Sequence, residues 1–192
     1  MTTIVNMQNI ETDEQLTAYF EKLPPRTELR FPSSTSFTET YSVTIIGYNK
    51  EDDSCILVPY FISKSHGECE DSEKRDTPDI LARFCFFNET GLDVIGIPKQ
   101  LGTPYMAKNF NPDLEQKFFP RYVMLIDSFK GELLTEDQIV SEKNGPPIKI
   151  DRGLLWRIFE QEVLVDGKLK KHRQYYAYEK FREYILSQGV TW

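Results

Sequence analysis

The chain has 192 residues, 40% of them hydrophobic and 13% aromatic, enough apolar material for one packed domain and too much for wholesale disorder. Thirty acidic against 23 basic side chains leave a formal net charge of −7, which argues against general nucleic-acid binding and against an anionic-membrane binder. The opening "MTTIVNMQ" lacks both the basic and the apolar region of a signal peptide. The longest apolar run, "CILVPYFI", is too short to cross a bilayer.

Cys55, Cys69 and Cys85 are an odd number without metal-type spacing. Cys55 and Cys85 stand among apolar neighbours, as buried thiols do, and point to a reducing, cytoplasmic compartment.

In chain order, Thr12-Asp13-Glu14-Gln15 reads as a capping box. Leu16, Tyr19, Phe20 and Leu23 then keep helical spacing until Pro24-Pro25 ends the helix. "YSVTIIGYN" and "SCILVPYFI", separated by "KEDD", predict a hairpin. Residues 64–75 are polar and predict a loop, and residues 76–89 predict a helix. An extended "VIGIPKQLG", a strand in "RYVMLIDSF" and a short strand in "PPIKI" follow. Asp151 is placed to cap a helix whose apolar face is Leu154, Leu155, Ile158 and Phe159. After an Asp166-Gly167 turn, "KKHRQYYAYEKFREYIL" predicts a final amphipathic helix. No regular βαβ alternation appears, so the expected class is α+β with a mixed sheet. Residues 1–36 form an N-terminal helix and connector, and 37–192 form one unit.

The helix at 76–89 has the clearest punctuation. Asp76 can accept from the free amides of the first turn, with Pro78 tolerated there and Asp79 completing a capping box. Gly91 supplies the left-handed stop. Leu81, Ala82 and Phe86 are expected to face the core, with Cys85 beside them.

Acidic-Thr-Pro, an apolar helix, then Glu-Thr-Gly-Leu-Asp-Val resembles the second half of the box of the Nudix hydrolase superfamily. That box has an opening glycine, an early glutamate, then Arg-Glu-apolar-x-Glu-Glu-x-Gly-apolar. Anchored on Gly91, the resemblance places Glu89 on the last glutamate, Phe86 on the inner apolar position, Leu92 on the closing one and Asp76 on the early glutamate. Glu70 occupies the opening glycine position, with Gly67 three residues before it. Phe84 stands where the arginine belongs, Cys85 where the next glutamate belongs, and Asn88 replaces the first glutamate of the pair. The hairpin, the later strand and the terminal helix follow in Nudix-like order across 41–186. The resemblance implies a mixed β-sheet sandwiched between helices, an α/β/α arrangement.

In that family the box glutamates hold divalent cations that polarise a diphosphate. Mg²⁺ or Mn²⁺ wants hard oxygen ligands, and here the helix face reads Cys85, Asn88, Glu89. One carboxylate, an amide and a thiol make a poor site of this kind. If hydrolysis survives, the resemblance makes Glu89 and Asp76 metal ligands and Glu89 and Glu142 the catalytic carboxylates, acting on a nucleoside diphosphate linked to another moiety. Otherwise a binding module is expected, taking a nucleotide, sugar nucleotide or protein partner. Asn88 and the basic run Lys170, Lys171 and Arg173 are then the candidate ligand contacts, as charge-assisted phosphate donors. The run reads more readily as a solvated loop and helix start.

The remaining features read as structure. Glu68, Glu70, Asp71 and Glu73 form a solvated acidic loop. Tyr175, Tyr178 and Phe181 recur at helical spacing as core residues do, although Tyr176 and Tyr184 beside them leave base stacking open. Phe118, Phe119 and Tyr122 carry the same two readings. His172 is a surface or capping residue, and "GLDVIGIPKQLG" lacks the spacing and lysine of a phosphate-cradling loop.

Overall fold

A computed structural model describes residues 8–22, 41–58, 62–65, 77–108, 118–138, 146–165, 168–172 and 174–192. The capping box forms as read: Gln15 N–H donates to Thr12 Oγ1 at 3.3 Å and Thr12 N–H donates to Gln15 Oε1 at 3.1 Å. It opens helix α1 (Asp13–Lys22), just after the short strand β1 (Asn9–Ile10). Leu16 and Tyr19 bury one face of α1. The Pro24-Pro25 stop lies outside the described residues.

Strands β2 (Ser42–Asn49) and β3 (Ser54–Leu57) form the expected hairpin. Its turn places Asp53 at φ 54, a left-handed backbone that Asp tolerates better than most residues. The second apolar run divides, however. β3 pairs with the last residues of β2, while strand β4 (Ile62–Ser65) pairs with the first half, from Ser42↔Ser65 to Ile45↔Ile62. Lys64 and Ser65, expected in a loop, therefore belong to the sheet.

Helix α2 (Pro78–Thr90) follows, then strands β5 (Asp93–Val94), β6 (Lys99–Gln100), β7 (Tyr105–Lys108), β8 (Phe118–Ile126), β9 (Phe129–Lys130) and β10 (Ile148–Asp151). Asp151 caps the next turn by accepting from Gly153 N–H at 2.7 Å and leads into α3 (Leu155–Phe159). The basic run was expected to start the last helix. It instead forms strand β12 (Lys168–Lys171), paired antiparallel with β11 (Glu162–Val165), and α4 begins only at Tyr175 (Tyr175–Ser187).

Among the described residues the sheet is mixed and eight-stranded, in the order β1-β10-β3-β2-β8-β6, with β4 also on β2 and β7 also on β8. β2 and β8 run parallel at its centre, as do β1 and β10 at one side. Alternation along the strands sorts the core into two layers. Ile46, Tyr48, Cys55, Leu57, Val123 and Leu125 pack with α1, α3 and α4 on one face. Val43, Ile45, Ile56, Val58, Met124 and Ile126 pack with α2 on the other. The architecture is thus the α+β, helix–sheet–helix arrangement that the resemblance implies. Because Leu16 and Tyr19 lie in the first layer, α1 shares the core of the main unit.

The chain end is tied into that layer. Arg152, buried, bonds both carboxylate oxygens of Asp53 at 2.6 and 2.7 Å and donates to Thr191 O. Its guanidinium lies 5.1 Å from the ring of Trp192, whose indole N–H reaches Tyr178 Oη at 3.2 Å. Burial pushes the Asp53 carboxyl up, but bonds from Arg152 and Tyr48 hold it below the usual range.

Candidate functional site around helix α2

Helix α2 starts one residue later than the capping reading placed it. Thr77 is the N-cap, in extended conformation and without a side-chain cap bond, and Pro78 takes the first turn. A proline there removes an amide that would have lacked a partner anyway. Asp76 itself lies outside the described residues, and so does its metal-ligand reading.

The stop is as read. Gly91 sits at φ 78 and its N–H returns to Phe87 O at 2.7 Å. A Cβ on Gly91 would stand 3.0 Å from Glu132 O and from Leu134 Cγ and Cδ2. Thr90 Oγ1 donates to Phe86 O and accepts from Leu92 N–H, and Leu134 N–H bonds Thr90 O. The last turn of α2 is therefore clamped against 132–134.

The face of α2 that the resemblance aligns with the box carboxylates is largely taken up by packing. Leu81, Ala82, Cys85 and Phe86 are buried against the sheet, and Phe84 packs on the same cluster. Burial of Phe86 is so close that Gly47, beneath it on β2, has no room for a Cβ. Asn88 is exposed and Glu89 half-buried at the end of the helix. Arg83, one residue before the box arginine position, turns away and donates to Val94 O on β5. Sequence reading passed over Arg83 because its partner is a backbone carbonyl, which no side-chain pattern reveals.

Among the described residues this face offers a hard divalent ion one carboxylate and one amide oxygen, and its thiol is enclosed. Among the described residues no group of three or more His, Cys, Asp or Glu is placed to hold a metal ion. Glu142 and Arg173 lie outside the described residues.

The ligand-contact candidates fall on different layers. Asn88 and Glu89 belong to α2. Lys170 and Lys171 belong to the β11–β12 hairpin, which joins α3 to α4 on the opposite layer. Lys170 is exposed; Lys171 Nζ stands 3.9 Å from the centroid of the Tyr175 ring, and a hydrogen bond to Tyr175 raises its pKa. The predicted cleft shared by Asn88, Glu89 and the basic run is thus not assembled by the described residues. Tyr178 and Phe181 are buried, with Tyr178 stacked on Phe159 at 5.6 Å, so the core reading of those aromatics holds. His172 is buried rather than superficial, and its Nδ1 accepts from Gln174 N–H just before α4. Phe119 is buried, whereas Phe118 is 54% exposed.

No protein-family model matches the chain, and no curated protein matches it. Among solved structures it is similar to a MutT protein from Bacillus halodurans, at 14% identity and a TM-score of 0.44, over 61% of this chain and 71% of that one. It is also similar to an ADP compounds hydrolase, at 15% identity and a TM-score of 0.49, over 79% of this chain and 75% of that one. Both are similarities of fold. Among the described residues no helix is long and apolar enough to cross a membrane.

Proposed function

We propose that this Nudix-like chain works by binding, holding a phosphate-bearing nucleotide or sugar nucleotide with little or no hydrolysis. The observation that carries the reading is the burial of Cys85 at 3% exposure, with Phe84 packed beside it, where the box motif has a glutamate and an arginine. A carboxylate at a position so enclosed would lose its hydration, so the apolar pair favours packing of the helix over a metal site. Glu89 remains as a carboxylate and Asn88 as an amide at the helix end. Neutralising a diphosphate then falls to protein cations; Lys170, Lys171 and Arg173 are the proposed source, as a phosphate site apart from Asn88 and Glu89.

Titration calorimetry with ADP and UDP derivatives tests this. Binding in the wild type, weakened several-fold by the Lys170→Ala, Lys171→Ala pair and by added salt, supports the reading; exposed charges are screened over about 8–10 Å at ordinary ionic strength. No heat at millimolar nucleotide refutes it.

A second reading, a protein partner on α2, is favoured by the exposed Ile80 and Phe87, at 44% and 46%, seven residues apart on one helix. The hydrolase alternative, with Glu89 and Asp76 as metal ligands and Glu142 as base, predicts metal-dependent turnover that Glu89→Gln abolishes.

A further inference from the structure

On the sheet face opposite α2, the strand register brings together a row of polar side chains that no local motif announces. Ser42 on β2 is in register with Arg121 on β8, and Arg121 in turn with Tyr105 on β7. Residues in register share a face, and this face is fixed by Val123 and Leu125 following Arg121 into the α4 layer. Thr44, two residues along β2, lies on the same face and is 0% exposed.

Three features of the row are unusual together. Arg121 donates Nε–H to Ser42 Oγ at 2.7 Å, yet no carboxylate pairs with it among the described residues, and its terminal nitrogens make no hydrogen bond there. Arg121 is half-buried, and its guanidinium stands 5.6 Å from the centroid of the Phe119 ring. Two hydroxyls on the same face, Thr44 Oγ1 and Tyr105 Oη, are buried and have no hydrogen-bond partner. Buried polar groups are almost always satisfied, and leaving one unpaired is costly.

We infer that Arg121, Thr44 and Tyr105 form an oxyanion-binding site for the phosphoryl group of a small molecule, on the α4 side of the sheet. Arginine supplies a planar, permanently charged donor fork suited to phosphate. The two hydroxyls add donors in a region shielded from water, where such bonds are strong. A carboxylate has two oxygens and would be served by the arginine alone; the two further hydroxyls fit the additional oxygens of a phosphoryl group. Tyr176, with its ring 4.4 Å from that of Tyr105, closes one side. This site lies on the opposite face from α2 and does not depend on whether the box helix binds a nucleotide.

The test is titration calorimetry of the full chain with inorganic phosphate, with acetate as the comparison anion. Wild type should bind phosphate more tightly than acetate, and Arg121→Gln should weaken phosphate binding at least tenfold. Thr44→Val removes a hydroxyl that has no partner without ligand, so its melting temperature should hold or rise while phosphate affinity falls several-fold. That variant keeps the test decisive if Arg121→Gln folds poorly. The Lys170→Ala, Lys171→Ala pair should leave phosphate binding here unchanged, which separates this site from the nucleotide reading. Absence of phosphate binding in wild type, equal affinity in wild type and Thr44→Val, acetate bound as tightly as phosphate, or loss of phosphate binding on substituting the two lysines would each overturn the assignment.

Discussion

Replacing Gly47 with alanine tests how closely α2 lies on the sheet. The new Cβ would stand 2.6 Å from Phe86 Cε2, 2.8 Å from its Cζ and 3.1 Å from Ile56 Cβ. Carbon atoms rest at about 3.5–4.0 Å, so the ring must retreat by roughly 1 Å. It has little freedom to do so, being 0% exposed and lying 5.4 Å, centroid to centroid, from Phe129. Overpacking of this kind costs about 1–3 kcal/mol. The gain from replacing glycine in a strand is about 0.5–1 kcal/mol. The net loss expected is on the order of 1–2 kcal/mol, or a melting temperature lower by about 2–8 °C for a domain of this size. Urea unfolding of Gly47→Ala, Phe86→Leu and the double variant forms a cycle. Because the smaller leucine makes room for the Cβ, the double variant should be about 1 kcal/mol more stable than the sum of the single effects predicts. A neutral Gly47→Ala, or additivity within roughly 0.5 kcal/mol, would show that α2 does not press on β2 as described.

Trp192→Ala should destabilise the chain by about 2–4 kcal/mol in urea melts, since it removes a large ring from the core layer and a hydrogen bond from Tyr178. Asp127 receives Lys50 and Lys99 on one carboxylate oxygen, at 3.0 and 2.7 Å. Burial pushes its carboxyl up, but the two lysines hold it net below the usual value. A carboxyl depressed on folding contributes stability above its unfolded pKa, about 4, and that stability is lost as pH falls through the folded value. Asp127→Asn should therefore lower stability at neutral pH and flatten its decline below pH ~4; an unchanged acid limb in pH-dependent melts would refute this.

Elements whose signals are local were legible in the sequence. The capping box at Thr12, the Gly91 stop and the Asp151 cap each depend on bonds within a few residues, and each appears where expected. The elements that were missed depend on partners far along the chain. Lys64 and Ser65 carry no strand pattern of their own and are extended because Val43 and Ser42 lie opposite. Lys168–Lys171 has poor strand propensity and is held by its register with Glu162–Val165. The same limit hid the polar row: Ser42 and Arg121 are 79 residues apart and meet only through the parallel pairing of β2 and β8. At α2 the departures at Phe84, Cys85 and Asn88 were readable, whereas the side on which Arg83 would find its partner was not.

The most direct test of the account is turnover with Mg²⁺ and with Mn²⁺ over a broad panel of nucleoside diphosphate derivatives. An α2 that encloses Cys85 and presents Glu89 with Asn88 predicts turnover far below the ordinary enzyme range of about 1–10³ s⁻¹, and the same low rate in Glu89→Gln. Turnover on the order of 1 s⁻¹ or faster, lost in Glu89→Gln, would contradict it and make α2 a working catalytic helix.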